Sequence, residues 1–191
     1  MNEEQLISAI AKRAAHADTR TDFANIRSRQ IGPRATPEMI RVTEQRLGFS
    51  LQPFHRRLLE TVENGGFGPG DGLIGTTGGS LDVDGRSLDE LHALLWPNKD
   101  IRVVPLCEWG DGIWSCVDVA TASVLTMSEL GLFNIDRSLR SWFEGWVSGE
   151  NLWQQIVVLE TAKMQNPLTK EFVTVPMVKG IRGAPYIPAA R

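Results

Sequence analysis

The side chains able to do chemistry fall into four groups, and spacing decides what each could do. Gly70, Gly72 and Gly75 stand at the intervals of a dinucleotide fingerprint, in which glycines let backbone amides approach a pyrophosphate. The context fails, because no strand-like run precedes them and no helical pattern follows. The Gly-Lys-Ser/Thr triplet of a phosphate-binding loop is absent from the chain. Asp82 and Asp84 in LDVDG look like the opening of a calcium loop, but Arg86 stands where a third oxygen ligand belongs and Ala93 where the closing glutamate belongs. They read instead as turn acids ahead of a helix.

His16, His55 and His92 lie on three separate helical stretches with no partner at metal spacing. Cys107 and Cys116 have neither CxxC spacing nor a linked histidine, and neither a G-x-S-x-G elbow nor an H-E-x-x-H helix occurs. No nucleophile, base or metal constellation emerges, so the expectation is a protein that is not an enzyme and carries no cofactor. The fourth group is mixed: Trp109 and Trp114 are interleaved with Glu108, Asp111 and Asp118. Aromatics among acids either fill a core or anchor a protein partner. Together with Asp82 and Asp84, these five residues form the expected partner-binding set.

The elements that must position them are legible as changes of period. Leu6, Ile7, Ile10, Ala11 and Ala14 form one apolar stripe, so Glu3 to about Ala17 reads as an amphipathic helix. A polar, Arg-rich loop follows to Ala35. Thr36 and Pro37 then mark a helix start and Gly48 its end, while Phe54, Leu58, Leu59 and Val62 mark a further helix that stops at Asn64-Gly65-Gly66. Eight glycines between residues 65 and 79 predict a loop with few side chains to pack. Ser87 caps the next helix, which Pro97 terminates.

Beyond Pro97 the period turns extended. IRVVPLCEW, IWSCVDVA and SVLTM read as three strands of an antiparallel meander. Asp111-Gly112 favours a two-residue type I′ turn, which would pair Trp109 with Trp114, Glu108 with Ser115 and Cys107 with Cys116. Both tryptophans and both cysteines would then share a face. The cysteines are either buried thiols or, on oxidation, a cross-strand bridge; a reducing cytosol favours thiols. Ser138 caps a last helix carrying Trp142, Phe143 and Trp146 and closed by Gly149. Leu152 to Leu159 fits helix or strand, FVTVPMV fits a strand, and APYIPAAR reads as a tail that is mobile or held by a partner.

The chain has 191 residues, 42% of them hydrophobic and 23% charged, which fits one globular α+β domain. The longest aliphatic run is Ile156 to Leu159, far short of the roughly 20 residues a bilayer span needs. An acidic N-terminal stretch and two cysteines point to the cytoplasm. The net charge of −3 conceals an uneven distribution, since residues 61–130 hold eleven acidic side chains against three basic ones. That field argues against a nucleic-acid partner and suits a basic protein surface.

Three stretches together resemble one family. ATPEMIRVTEQRLGFSL with FHRRLLETVENGGFG is similar to the N-terminal signature of the SUKH superfamily, also called the Smi/Knr type. WGDGIWSCVD resembles its hairpin segment and WFEGWVSGENLW its final helix, in the same order, over about residues 36–160. One departure is Gln52, where the family usually has proline; Pro53 follows one residue later.

The resemblance implies helices packed on an antiparallel sheet, with residues 1–35 as an N-terminal helix and loop and 161–191 as a C-terminal extension. It also implies a bacterial immunity protein that neutralises a cognate toxin, often a nuclease, with no accepted catalytic residues; some members are instead intracellular regulatory or scaffold modules. The expected partner is a toxin with a basic surface, with no membrane contact and with the chain a monomer or weak dimer.

Overall fold

The computed structural model describes residues 1–19, 21–22, 32–97 and 101–188, and most of the Arg-rich loop lies outside them. Helix α1 (Glu3–Ala14) starts where Asn2 and Gln5 cap one another's backbone N–H groups, each at 2.9 Å, and it buries Leu6, Ile10 and Ala14. Helix α2 (Pro37–Leu47) has Thr36 Oγ1 accepting from the Met39 N–H and ends on left-handed Gly48. Helix α3 (Pro53–Thr61) begins at the proline itself. Gln52, the departure from the family pattern, is its cap: Oε1 accepts from the His55 N–H at 2.9 Å. Arg57 on α3 pairs with Glu3 at 2.7 Å and Glu4 at 3.3 Å, tying the first helix to the third.

Between α3 and helix α4 (Leu88–Leu95) the glycine-rich segment is irregular, as expected, but it is not sparse in packing. Phe67, Leu73 and Ile74 are among the largest fully buried side chains of the molecule. Asn64, wholly buried, closes the segment on itself. Its Oδ1 accepts from the Thr76 N–H (2.9 Å), and its Nδ2 donates to Thr76 Oγ1 (2.9 Å). Gly65 must be glycine here: its φ is +84°, and a Cβ would stand 2.6 Å from the Leu73 carbonyl oxygen.

Strands β1 (Val103–Glu108), β2 (Trp114–Asp118), β3 (Ser123–Ser128) and β4 (Gly131–Ser138) form the expected meander plus one strand more, and β7 (Ala184–Pro185) completes an antiparallel sheet in the order β1-β2-β3-β4-β7. The glycine-rich segment lies along the outer edge of β1, where Asp71 N–H donates to the Glu108 carbonyl (3.0 Å) and Ile74 N–H to the Leu106 carbonyl (2.8 Å). It thereby covers an edge that would otherwise be open to another chain. Helix α5 (Leu139–Ser148) buries Leu139, Trp142, Phe143 and Trp146, with Phe143 edge-on to Phe54, Trp142 and Trp146.

The β1–β2 register differs from the expected one. Trp109 N–H donates to the Ile113 carbonyl, and Gly110, Asp111 and Gly112 all have positive φ, so the loop holds three residues rather than two. Glu108 therefore faces Trp114, and Cys107 faces Ser115. An irregularity at Leu106 then places Pro105 opposite Cys116. By alternation the two tryptophans lie on opposite faces, as do the two cysteines, and both thiols are free and buried.

After the short α6 (Trp153–Ile156) the ambiguous stretch becomes β5 (Val157–Gln165), which pairs with β6 (Phe172–Ile181) in a separate two-stranded sheet. The expected boundary at residue 161 falls inside β5. Beyond β6, residues 184–186 are held by the chain itself, because β7 pairs with β4 and Tyr186 bonds to Asp118. Among the described residues no helix is long and apolar enough to cross a membrane.

Candidate protein-binding site

Several acids of the middle third are buried or engaged within the chain rather than free at the surface. Asp82 is buried and accepts from the Asp84 and Arg86 backbone N–H groups and from Arg86 Nε at 2.7 Å. Asp84 is exposed but bonded to the same guanidinium. LDVDGR is thus a closed turn in which one guanidinium is shared by two carboxylates. Asp89, also buried, pairs with Arg46 from α2 at 3.0 Å. Glu90 accepts from the Ser87 N–H at 2.9 Å, and that bond, with the Ser87 hydroxyl, holds its carboxyl below the usual carboxylate range.

The hairpin residues divide in the same way. Trp109 and Trp114 are 5% and 7% exposed and belong to the core. Trp109 stacks on Trp153 and donates its indole N–H to Ser115 Oγ at 2.8 Å. Asp118 is buried and accepts from the Ala120 and Thr121 N–H groups at 2.7 and 3.1 Å, and from the Tyr186 hydroxyl. This bond to Asp118 raises the Tyr186 hydroxyl above its ordinary range. Glu108 is half-buried. Of these five hairpin residues only Asp111, at the tip of the β1–β2 loop, is exposed, and it makes no ion pair or side-chain hydrogen bond among the described residues.

Asp111 does have a neighbour that the sequence reading passed over. A cleft of about 320 Å³ opens at this end of the sheet, lined by Asp111 and Ile113, by Glu129 and Leu130 of the β3–β4 turn, and by Lys179 and Ile181 of β6. Glu129 is exposed and, like Asp111, makes no ion pair among the described residues, while Leu130 is a large exposed apolar side chain. Three chain segments far apart in sequence thus converge on a mouth with two unneutralised carboxylates and an apolar side chain. The signal in the sequence is the Ser-Glu-Leu-Gly turn, but β4 beyond it lacks the apolar alternation that would mark a strand.

A second cleft, of about 360 Å³, lies between α1 and α6 and is lined by Arg13, Asp22, Glu150 and the Trp109–Trp153 stack. Its polar groups are already engaged. Arg13 donates to the Trp146 carbonyl and sits 4.5 Å above that indole, and Asp22 accepts from the Gly70 N–H at 3.0 Å. Burial raises the Asp22 carboxyl, against the lowering pull of the Gly70 N–H and of Arg13. The groups here bind one another.

Both thiols and two of the three histidines are buried, while His16, just past α1, is exposed. Burial pushes both Cys107 and Cys116 up, away from thiolate. His55 is wholly buried on α3, neither ring nitrogen has a hydrogen-bond partner among the described residues, and burial lowers it to about 4. His92 packs against Phe49 and Trp96, with Nε2 3.1 Å from the Ile101 carbonyl. Among the described residues no group of three His, Cys, Asp or Glu side chains is arranged to hold a metal ion. Compared with family models, with curated proteins and with solved structures, the chain matches none.

Proposed function

We propose that this chain is a non-enzymatic immunity protein, a binding module that inactivates a partner toxin by covering its working surface. The observation that carries the reading is the cleft at the end of the sheet, rimmed by Asp111 and Glu129. Asp82, Asp84 and Asp89 are engaged by arginines of the chain, whereas these two are exposed beside Leu130 and make no ion pair among the described residues. Carboxylates of that kind steer a basic partner and fix its orientation, and the apolar side chain beside them supplies area that water leaves on contact. A nuclease toxin fits this chemistry, since it must present Lys and Arg to phosphate. The acidic contribution is therefore local, two carboxylates at one mouth, rather than the broad field that composition implied. The ordered likeness of residues 36–160 to the SUKH pattern supports the same reading.

The test is co-expression with the toxin encoded beside this chain's own gene, followed by kinetics on the purified pair. The native chain restores growth. The double variant Asp111→Lys, Glu129→Lys associates at least about tenfold more slowly at low salt, and the difference shrinks as salt is raised. Asp84→Asn, whose charge is already paired with Arg86, leaves association unchanged. Equal association rates for the double variant and the native chain at low salt would sink the cleft as the binding site.

A further inference from the structure

The β5–β6 ribbon is the one part of the described structure whose apolar side chains meet water on both faces. Phe172 is 70% exposed and Met164 52%, and Leu159, Val173, Met177 and Val178 are exposed as well. Cross-strand pairs place Met164 with Val173, Ala162 with Val175 and Glu160 with Met177 on one face, so five apolar side chains run together along it. A two-stranded ribbon is marginal in water by itself, and about 23 Å of it, from Leu159 to Gln165, stands without a covering element among the described residues.

Its two edges are not equivalent. The Asn166 N–H donates to the Glu171 carbonyl at 2.8 Å, so that pair is a bonded rung. Rungs alternate along an antiparallel ladder, which makes Met164–Val173, Ala162–Val175 and Glu160–Met177 bonded and Thr161–Pro176 unbonded. The outward position in the middle of β6 is therefore a proline with no N–H, and that edge is blunted. On β5 the outward groups belong to Leu159, Thr161, Lys163 and Gln165, each with both a donor and an acceptor.

We infer that β5 pairs antiparallel with β5 of a second copy of this chain, forming a continuous four-stranded sheet across a two-fold axis. Charge selects the register. Centring the axis on Glu160 or Lys163 sets like charges face to face, whereas centring it on Thr161 or Ala162 opposes Glu160 to Ala162 or Met164 and Lys163 to Leu159 or Thr161. Either of the latter registers joins the apolar faces of the two ribbons into one stripe. A single strand edge buries less than the roughly 800 Å² per partner of a standard interface, so the dimer is weak and concentration-dependent. This inference stands apart from the proposed function, because the cleft acids lie on other segments.

The full chain is measured by light scattering and sedimentation between micromolar and submillimolar concentration. The native chain moves from one-chain to two-chain mass across that range. Lys163→Pro, which removes an outward N–H while leaving every rung to β6 intact, stays at one-chain mass at the highest concentration; Lys163→Ala still dimerises. Circular dichroism and thermal unfolding show that both variants are folded. Because Cys107 and Cys116 are buried, a single new thiol reports geometry: Thr161→Cys or Ala162→Cys oxidises to a covalent dimer, according to which residue sits on the axis. A native chain monomeric throughout, a Lys163→Pro chain that dimerises like native, or failure of both thiols to cross-link overturns the inference. A monomer whose β5 amides become protected only on adding another protein would assign the edge to a different partner and likewise overturn it.

Discussion

The molecule contains two β-hairpins in opposite circumstances, one of strands of 6 and 5 residues and one of strands of 9 and 10. In β1–β2 nearly every residue is buried, so both faces are covered and the glycine-rich segment bonds along the outer edge. In β5–β6 almost every side chain beyond the first rungs meets water. Both carry several valines, so valine content does not separate them. What separates them is cover. The first hairpin has Asn64 and its closely folded glycines to fill and seal its surroundings; the second leaves the body at α6 and has no such segment. Apolar strand residues therefore mark a core in one place and an available surface in the other.

The same substitution made in each region breaks that comparison most sharply. Phe67→Ala, in the wholly buried glycine-rich segment, lowers unfolding free energy by about 4 kcal/mol, measured by urea denaturation. Acid gives the next largest effect. His55 is held neutral down to about pH 4, while in the unfolded chain it takes a proton near 6.5. Its folded value is depressed, so stability is whole above about pH 6.5 and falls by about 3 kcal/mol as pH drops to 4. His55→Leu removes that part of the slope, which parallel denaturation curves at pH 7 and pH 4.5 would show. Tyr186→Phe frees the tail from Asp118 and costs about 1 kcal/mol, with faster proteolysis after residue 181 as a second readout. Phe172→Ala, on the exposed ribbon, changes dilute-solution stability by less than about 0.5 kcal/mol.

Helix ends were legible in the sequence because their causes are local. Thr36, Gly48, Ser138 and Gly149 each act within four residues, and each stands where the spacing placed it. The α+β class was legible for the same reason, as a change of period after Pro97. Register was not, since it turned on one extra residue of positive φ in a Gly-Asp-Gly loop and on an irregularity at Leu106. Strand β4 escaped notice because Asp136, at positive φ, interrupts its alternation where β3 and β4 slip by two residues. The acids were the least legible. Asp89 is neutralised by a residue 43 positions away, and Asp118 is bonded to one 68 positions away. Composition counts such carboxylates as surface charge, and only tertiary contact shows which remain so. Asp111 is legible as a candidate from its turn, whereas Glu129 becomes its neighbour only once the sheet exists.

Native-state hydrogen exchange, run dilute and concentrated, tests the contrast between a self-satisfied body and an open ribbon most directly. Amides of Leu106, Cys116 and Ile74 should exchange only through global unfolding at either concentration. Those of Leu159, Thr161, Lys163 and Gln165 should exchange within seconds when dilute and slow markedly when concentrated. Equal protection of the β5 outward amides and the β1–β2 amides in dilute solution would contradict it.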